Sequence, residues 1–147
     1  MPSINSKLFM NTILNYCDNK CRITLPQNYI KLIEVSGKNE LIIIPCENTK
    51  IIAYNYAEWK KIESNIINEN DGLYNFSKQH ITKSIVIKVT KKGIIKISKK
   101  FIETVGILTN TKVVIIGMGK YFEIWNYKNY LKEIQKYFEL FNDNILT

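Results

Sequence analysis

Apolar residues along the chain come in short bursts whose spacing changes from two to three or four and back, the pattern of strands interrupted by helices. An alternating stretch with Ile13, Tyr16 and Cys17 runs into a polar turn, Asp18-Asn19-Lys20-Cys21-Arg22, and a second short alternation follows, Ile23-Thr24-Leu25. Two such strands about a tight turn predict a hairpin. Pro26 suits the first turn of a helix. Tyr29, Ile30 and Ile33 then recur at helical spacing, so that one helix face is buried. Leu41 to Ile44 is an unbroken apolar run, long enough for a buried strand and too short for a helix.

The whole series returns under a constant shift of 72 residues, which carries Ile23 onto Ile95, Leu25 onto Ile97, Tyr29 onto Phe101, Ile30 onto Ile102 and Ile33 onto Val105. No gap is needed between Ile13–Ile44 and Ile85–Ile116. In the second copy Ile85, Ile87 and Val89 lead to the turn Thr90-Lys91-Lys92-Gly93-Ile94, and Ile95-Lys96-Ile97 is the return strand. Ser98 stands at the place of Pro26 as a helix N-cap, and Gly37 and Gly106 can stop the two helices, although they do not align. Each copy ends with one more strand, Ile51 to Tyr54 or Tyr121 to Trp125, and a closing helix. The first, from about Ala57 to Ile67, carries Trp59, Ile62 and Ile66; the second, from about Tyr127 to Phe141 behind Asn126, carries Tyr130, Leu131, Ile134, Phe138 and Phe141. Trp59, Trp125 and the tyrosines at these spacings read as core.

The expected class is therefore α+β, with one repeat over 8–67, a polar linker or irregular segment over 68–82 that contains Asp71-Gly72, and a second repeat with its C-terminal helix over 83–141. A hairpin-helix-hairpin unit of roughly 45 residues is too small to bury its own apolar faces, so the two copies must share a core.

Composition narrows the function more than the fold. The 147 residues, 46% of them hydrophobic, contain no apolar run of the roughly 18–20 residues that cross a bilayer and no basic-then-apolar start, which predicts a cytoplasmic protein. Cys17, Cys21 and Cys46 are odd in number and include no CxxC pair; with the single His80 they lack the short-spaced pairs of a metal site, so neither a metal nor a cofactor is expected. There is no Ser/His/Asp set and no glycine-rich phosphate loop, so the chain does not read as an enzyme with a small-molecule substrate. Lys and Arg total 21 against 13 acidic residues, a net charge of +8 that points to a polyanionic partner. An A/T-rich coding sequence would produce the same Lys, Asn and Ile surplus, so charge alone does not identify that partner.

Specific residues add to the case. Phe9, Asp18, Lys20, Arg22 and Pro26 stand as F-x8-D-x-K-x-R-x3-P, which resembles the opening signature of the MraZ family. Gly106-Ile107, then Val113 to Gly119, then Tyr121-Phe122-Glu123-Ile124-Trp125 are similar to that family's second apolar strand, glycine turn and closing strand, and Tyr56-Ala57-Glu58-Trp59 resembles its first helix start. The resemblance implies an internally duplicated, swapped-hairpin β-barrel of the AbrB-like class with short helices. It also implies a homo-oligomeric ring, nucleoid association, and repression of a cell-division and cell-wall gene cluster through repeated promoter sites on double-stranded DNA. Departures are concentrated in the turns: Cys21 stands for the family's glycine, and Thr90, Ile94 and Ser98 stand for its second-copy aspartate, arginine and proline.

Arg22 offers a planar fork of donors for phosphate oxygens or the guanine O6/N7 edge, Lys20 a flexible cation for phosphates, and Asp18 a means of orienting the turn. Lys91, Lys92 and Lys96 are the candidate contacts of the second copy, where Lys88, Lys99 and Lys100 extend a basic strip that supplies sequence-independent affinity. Two alternatives stay open on the residues alone: a solvated turn with an Asp18–Arg22 ion pair and no nucleic acid, and an antitoxin-like or scaffold module kept for protein contacts.

Overall fold

The computed structural model describes residues 8–67 and 82–146. The expected linker at 68–82 falls outside them apart from Thr82, as does His80. The elements run β1 (Thr12–Cys17), β2 (Arg22–Thr24), α1 (Gln27–Val35), β3 (Glu40–Cys46), β4 (Lys50–Asn55) and α2 (Tyr56–Ile67), then β5 (Ile85–Lys88), β6 (Ile94–Lys96), α3 (Lys99–Thr104), β7 (Thr111–Gly117), β8 (Tyr121–Asn126) and α4 (Tyr127–Leu146). The fold is mixed α+β with antiparallel strands throughout. None of the described helices is long and apolar enough to cross a membrane.

Strand pairing crosses between the copies. Six strands form one sheet in the order β1-β7-β8-β4-β3-β5, while β2 and β6 form a separate two-stranded ribbon. Each expected hairpin is hydrogen-bonded only around its turn, from Asp18 N–H to the Arg22 carbonyl (3.0 Å) and from Thr90 N–H to the Ile94 carbonyl (3.1 Å). Beyond that the arms separate: β1 pairs with β7 of the second copy and β5 with β3 of the first. Among the described residues no ladder joins β1 to β5 to close the sheet.

The registers reveal the symmetry. Tyr16 pairs with Lys112 and Lys88 with Glu40, partners that interchange under the 72-residue shift. Ile23 pairs with Ile95, its own counterpart, so a pseudo-twofold axis passes through the middle of the ribbon. The turn after β3 spans 47–49, between paired Cys46 and Lys50, whereas the turn after β7 is one residue shorter, closed by Met118 N–H to the Tyr121 carbonyl at 2.9 Å. Past that deletion the shift is 71, and Ile52 pairs with its counterpart Glu123 on the same axis.

The core lies between the large sheet, the ribbon and the short helices. Leu41, Ile43, Ile51, Ala53, Val113, Ile115, Phe122 and Ile124 face it together with Ile23, Ile95, Tyr29 and Ile102. Alternate residues Ile42 and Ile44 face the other way, onto Trp59 of α2, which explains why the run Leu41–Ile44 in β3 is apolar at every position instead of at every second one. Phe9, Tyr29 and Phe122 meet with ring centroids 4.9–5.0 Å apart. Removing one such ring costs about 3–5 kcal/mol. Phe9 is anchored by reciprocal backbone bonds with Gly119 (2.7 and 2.9 Å), which turns at φ +91°, and a Cβ on Gly117 would stand 2.5–2.6 Å from the Met10 backbone, so Gly117 allows this close crossing.

Both short helices begin where expected. Pro26, with φ −62°, precedes α1, and Ser98, with φ −60°, accepts a hydrogen bond from Phe101 N–H (3.2 Å) to cap α3. Trp59 and Trp125 are buried, whereas the apolar stripe of α4 is largely uncovered. Tyr130 and Ile134 are half-buried, but Leu131 is 45% and Phe138 57% exposed; α4 packs on β7 and β8, and Asn129 Nδ2 donates to the Asn48 carbonyl (3.2 Å).

Candidate functional site

Three-residue strands leave little freedom in choosing faces. With Ile23 and Ile95 turned fully inward, period-two alternation sends Arg22, Thr24, Ile94 and Lys96 outward. Arg22 lies directly across from Lys96, and Thr24 across from Ile94. Leu25 N–H donates to the Gly93 carbonyl (2.8 Å) and Ile97 N–H to the Cys21 carbonyl (3.1 Å), so each turn is tied to the far end of the other copy's strand and the two turns cap opposite ends of the ribbon.

The first turn is built around a carboxylate. Asp18 Oδ1 accepts from the backbone N–H of Lys20 (2.9 Å) and of Arg22 (2.8 Å), and Oδ2 from Arg22 Nε (2.8 Å). The backbone N–H of Arg22, with its guanidinium and the Lys20 N–H behind it, holds the Asp18 carboxyl below its ordinary value. Among the described residues the Arg22 guanidinium is engaged through Nε alone, which leaves both terminal amino groups to a partner. Cys21 closes the turn at φ 60°, a left-handed conformation that favours glycine, and its side chain is buried.

The second turn has the same backbone with other chemistry. Gly93 N–H donates to the Thr90 carbonyl (2.8 Å), as Cys21 N–H does to that of Asp18 (3.1 Å), and Ile94 N–H donates to the Thr90 hydroxyl at 3.0 Å, where Asp18 uses a carboxylate oxygen. A hydroxyl and an aliphatic chain thus replace the ion pair. Gly93 lies at φ +82°, and a Cβ there would stand 2.8 Å from Ile30 Cγ1.

All six candidate residues belong to this surface, but they divide differently from their sequence order. Lys20, Arg22 and Lys96 share one end, Lys91 and Lys92 occupy the other, and Asp18 supports the first. The expected single strip of second-copy lysines is distributed over four elements or turns: Lys88 sits opposite Glu40 on β5, Lys91 and Lys92 in the turn, Lys96 beside Arg22, and Lys99 and Lys100 on α3. Two outward positions are not among the candidate contacts, Thr24, which was missed, and Ile94, which was noted only as standing for an arginine, although the alternation about Ile23 and Ile95 was the signal that places them outward. Asn15 was missed as well; its Nδ2 donates to the Thr24 carbonyl and pins β1 against the ribbon.

Other polar groups hold the scaffold. Glu123 is buried on the pseudo-twofold axis between Lys50 Nζ (2.8 Å) and Trp125 Nε1 (3.0 Å). All three thiols are free, and burial pushes Cys17 up to about 11 and raises Cys46 as well. Among the described residues no three His, Cys, Asp or Glu side chains come together.

No protein-family model matches the chain. It is similar to the transcriptional regulator MraZ of Legionella pneumophila, as found in strains Corby, Lens and Paris, with 28% identity over 115 residues that cover 74% of this chain and 73% of each relative. The name of these relatives points to transcription regulation as the function class.

Proposed function

We propose that the protein is a DNA-binding transcriptional regulator of the MraZ type that grips duplex DNA with the outward face of the β2–β6 ribbon. The observation that carries this reading is the Arg22 end of the ribbon: a guanidinium held through Nε by Asp18, with two free amino groups, flanked by exposed Lys20 and Lys96 on a ribbon whose other face is buried. A two-stranded ribbon fits the major groove, where an arginine fork matches guanine O6 and N7. Lys20, Lys91, Lys92 and Lys96 contribute phosphate contacts that set affinity without choosing sequence.

The exchange of strand arms between residues 8–67 and 83–141 supports regarding these repeats as two AbrB-like swapped hairpins around one pseudo-symmetric barrel. A single ribbon covers few base pairs. Several copies in a ring, bound to repeated promoter sites, would raise apparent affinity by about 10² to 10⁴ without new contacts. Repression of a cell-division and cell-wall gene cluster, and nucleoid association, complete this reading. An antitoxin-like or scaffold module is the second reading, favoured by the uncovered apolar stripe of α4.

Titration into fluorescent duplex from upstream of the protein's own gene, at two salt concentrations, separates the two. The regulator binds with steep salt dependence, and Arg22→Ala loses about 1–3 kcal/mol, or about 5- to 150-fold. Association indifferent to salt, DNA sequence and Arg22 leaves the interaction module.

A further inference from the structure

We infer that Ile94 and Thr24 form a methyl-bearing contact surface that reads thymine at the end of the ribbon opposite Arg22. The inference rests on the DNA-binding reading and adds to it a pair of specificity-determining residues.

The pseudo-twofold axis through Ile23 and Ile95 superposes Arg22 on Ile94 and Thr24 on Lys96. The ribbon is symmetric in backbone and opposite in chemistry. One end presents a guanidinium beside an ammonium, the other a branched aliphatic chain beside a threonine methyl. Ile94 is only half-buried and belongs to neither apolar core cluster, while its counterparts on the inward face, Ile23 and Ile95, are fully buried. Exposed Lys91 and Lys92 lie in the turn that leads into it and offer cations to phosphates. The Thr90 hydroxyl keeps the turn closed without charge, so no carboxylate there repels the DNA backbone.

In the major groove thymine alone presents a C5-methyl group, and aliphatic or threonine methyls are its usual partners. Residues two apart on a strand advance by about 6.7 Å, close to two base-pair steps of about 3.4 Å. With the ribbon along the groove, a guanine under Arg22 and a thymine under Thr24 and Ile94 fall about two steps apart. One subunit then reads an unsymmetrical element with a polarity, although its backbone is symmetric.

The test measures binding to the same upstream duplex made with thymine or with uracil, which differ in the C5-methyl alone, for the wild type, Ile94→Ser and Thr24→Ser. Burial of one methyl is worth about 0.8 kcal/mol, so the wild type should bind the uracil duplex about four-fold more weakly per contacted thymine. Ile94→Ser should bring that penalty towards unity with the salt slope unchanged, because no phosphate contact is removed. Thr24→Ser, which keeps the hydroxyl and the strand, should reduce it in part and decides the matter if Ile94→Ser fails to fold. Equal wild-type affinity for the two duplexes, or a penalty untouched in both variants, overturns the methyl contact while leaving DNA binding intact. Failure of the wild type to bind either duplex overturns the regulator reading, and this inference with it.

Discussion

The two turns at the ends of the ribbon share a backbone and differ in nearly everything that meets a partner. In both, the residue at the first position receives the amide of the fourth and donates to the carbonyl of the fifth, and its side-chain oxygen accepts the amide of the fifth. Asp18 does this with a charge and so can also hold Arg22 through its side chain; Thr90 does it with a neutral hydroxyl and leaves Ile94 a purely apolar side chain. The scaffold of the turn therefore needs only an acceptor, and the ion pair is a separable addition. Three hydrogen-bonded positions can be retained for architecture while their outward chemistry changes from cation to methyl.

The largest effect should come from the one position where the scaffolds themselves differ. Gly93→Ala adds a methyl at φ +82° against Ile30 and 3.1 Å from the Leu25 carbonyl, and should destabilise the fold by about 2–3 kcal/mol in denaturant unfolding. At the equivalent place Cys21→Gly relieves left-handed strain of about 1 kcal/mol and gives up a buried thiol of similar worth, so its net effect should stay within about 1 kcal/mol. Equal losses in the two variants would show that the turns are not backbone equivalents.

Transplanting the first turn's chemistry onto the second sharpens the comparison next. Thr90→Asp combined with Ile94→Arg should keep the fold and make the salt dependence of duplex binding steeper by about 0.9 in logarithmic slope for each phosphate gained. Affinity at moderate salt should rise about ten-fold, or about 1.4 kcal/mol. A variant that folds but shows no steeper salt dependence would place the phosphate contacts away from this end of the ribbon.

Acid should distinguish the turns without any mutation. Because its folded-state value is depressed, Asp18 contributes stability that is present above its ordinary value of 3.8 and is lost as pH falls through the lowered one. As pH falls through that lowered value the amides of Lys20 and Arg22 should lose their charged acceptor and exchange faster, read by NMR, while the Ile94 amide, bonded to the Thr90 hydroxyl, should not respond. Matching acid responses at both turns would contradict the carboxylate's role.

Local order in the fold was legible because local patterns dictate it: the 72-residue repeat, the alternation of short strands, the Pro26 and Ser98 helix starts and the buried tryptophans are all written in spacing and capping. Which strand lies beside which was not. The pattern of β1 predicts a strand with a turn after it, and nothing in it favours β2 over β7; that choice is made by long-range burial. For the same reason Lys96 looked like a companion of Lys91 and Lys92 but lies beside Arg22. The stripe on α4 was correctly periodic, yet periodicity records an apolar face without recording what covers it. At the candidate site the charged residues were conspicuous, whereas Ile94 stood out only as the loss of an arginine from the second turn, and its place across from Thr24 depends on a strand pairing that local pattern does not specify.

The smallest expected effect concerns the helix starts that follow each turn. Pro26 and Ser98 occupy equivalent places with nearly the same backbone, φ −62° and ψ 153° against φ −60° and ψ 146°, so proline fits at Ser98 without strain. Ser98→Ala loses the cap to Phe101 and should cost about 1 kcal/mol. Ser98→Pro loses the same cap but restricts the unfolded chain, which returns about 0.4–1 kcal/mol. Its thermal midpoint should therefore lie well above that of Ser98→Ala and close to the wild type. A Ser98→Pro variant less stable than Ser98→Ala would mean that the two copies enter their helices by different backbones, and the equivalence of the turns would end at Ile97.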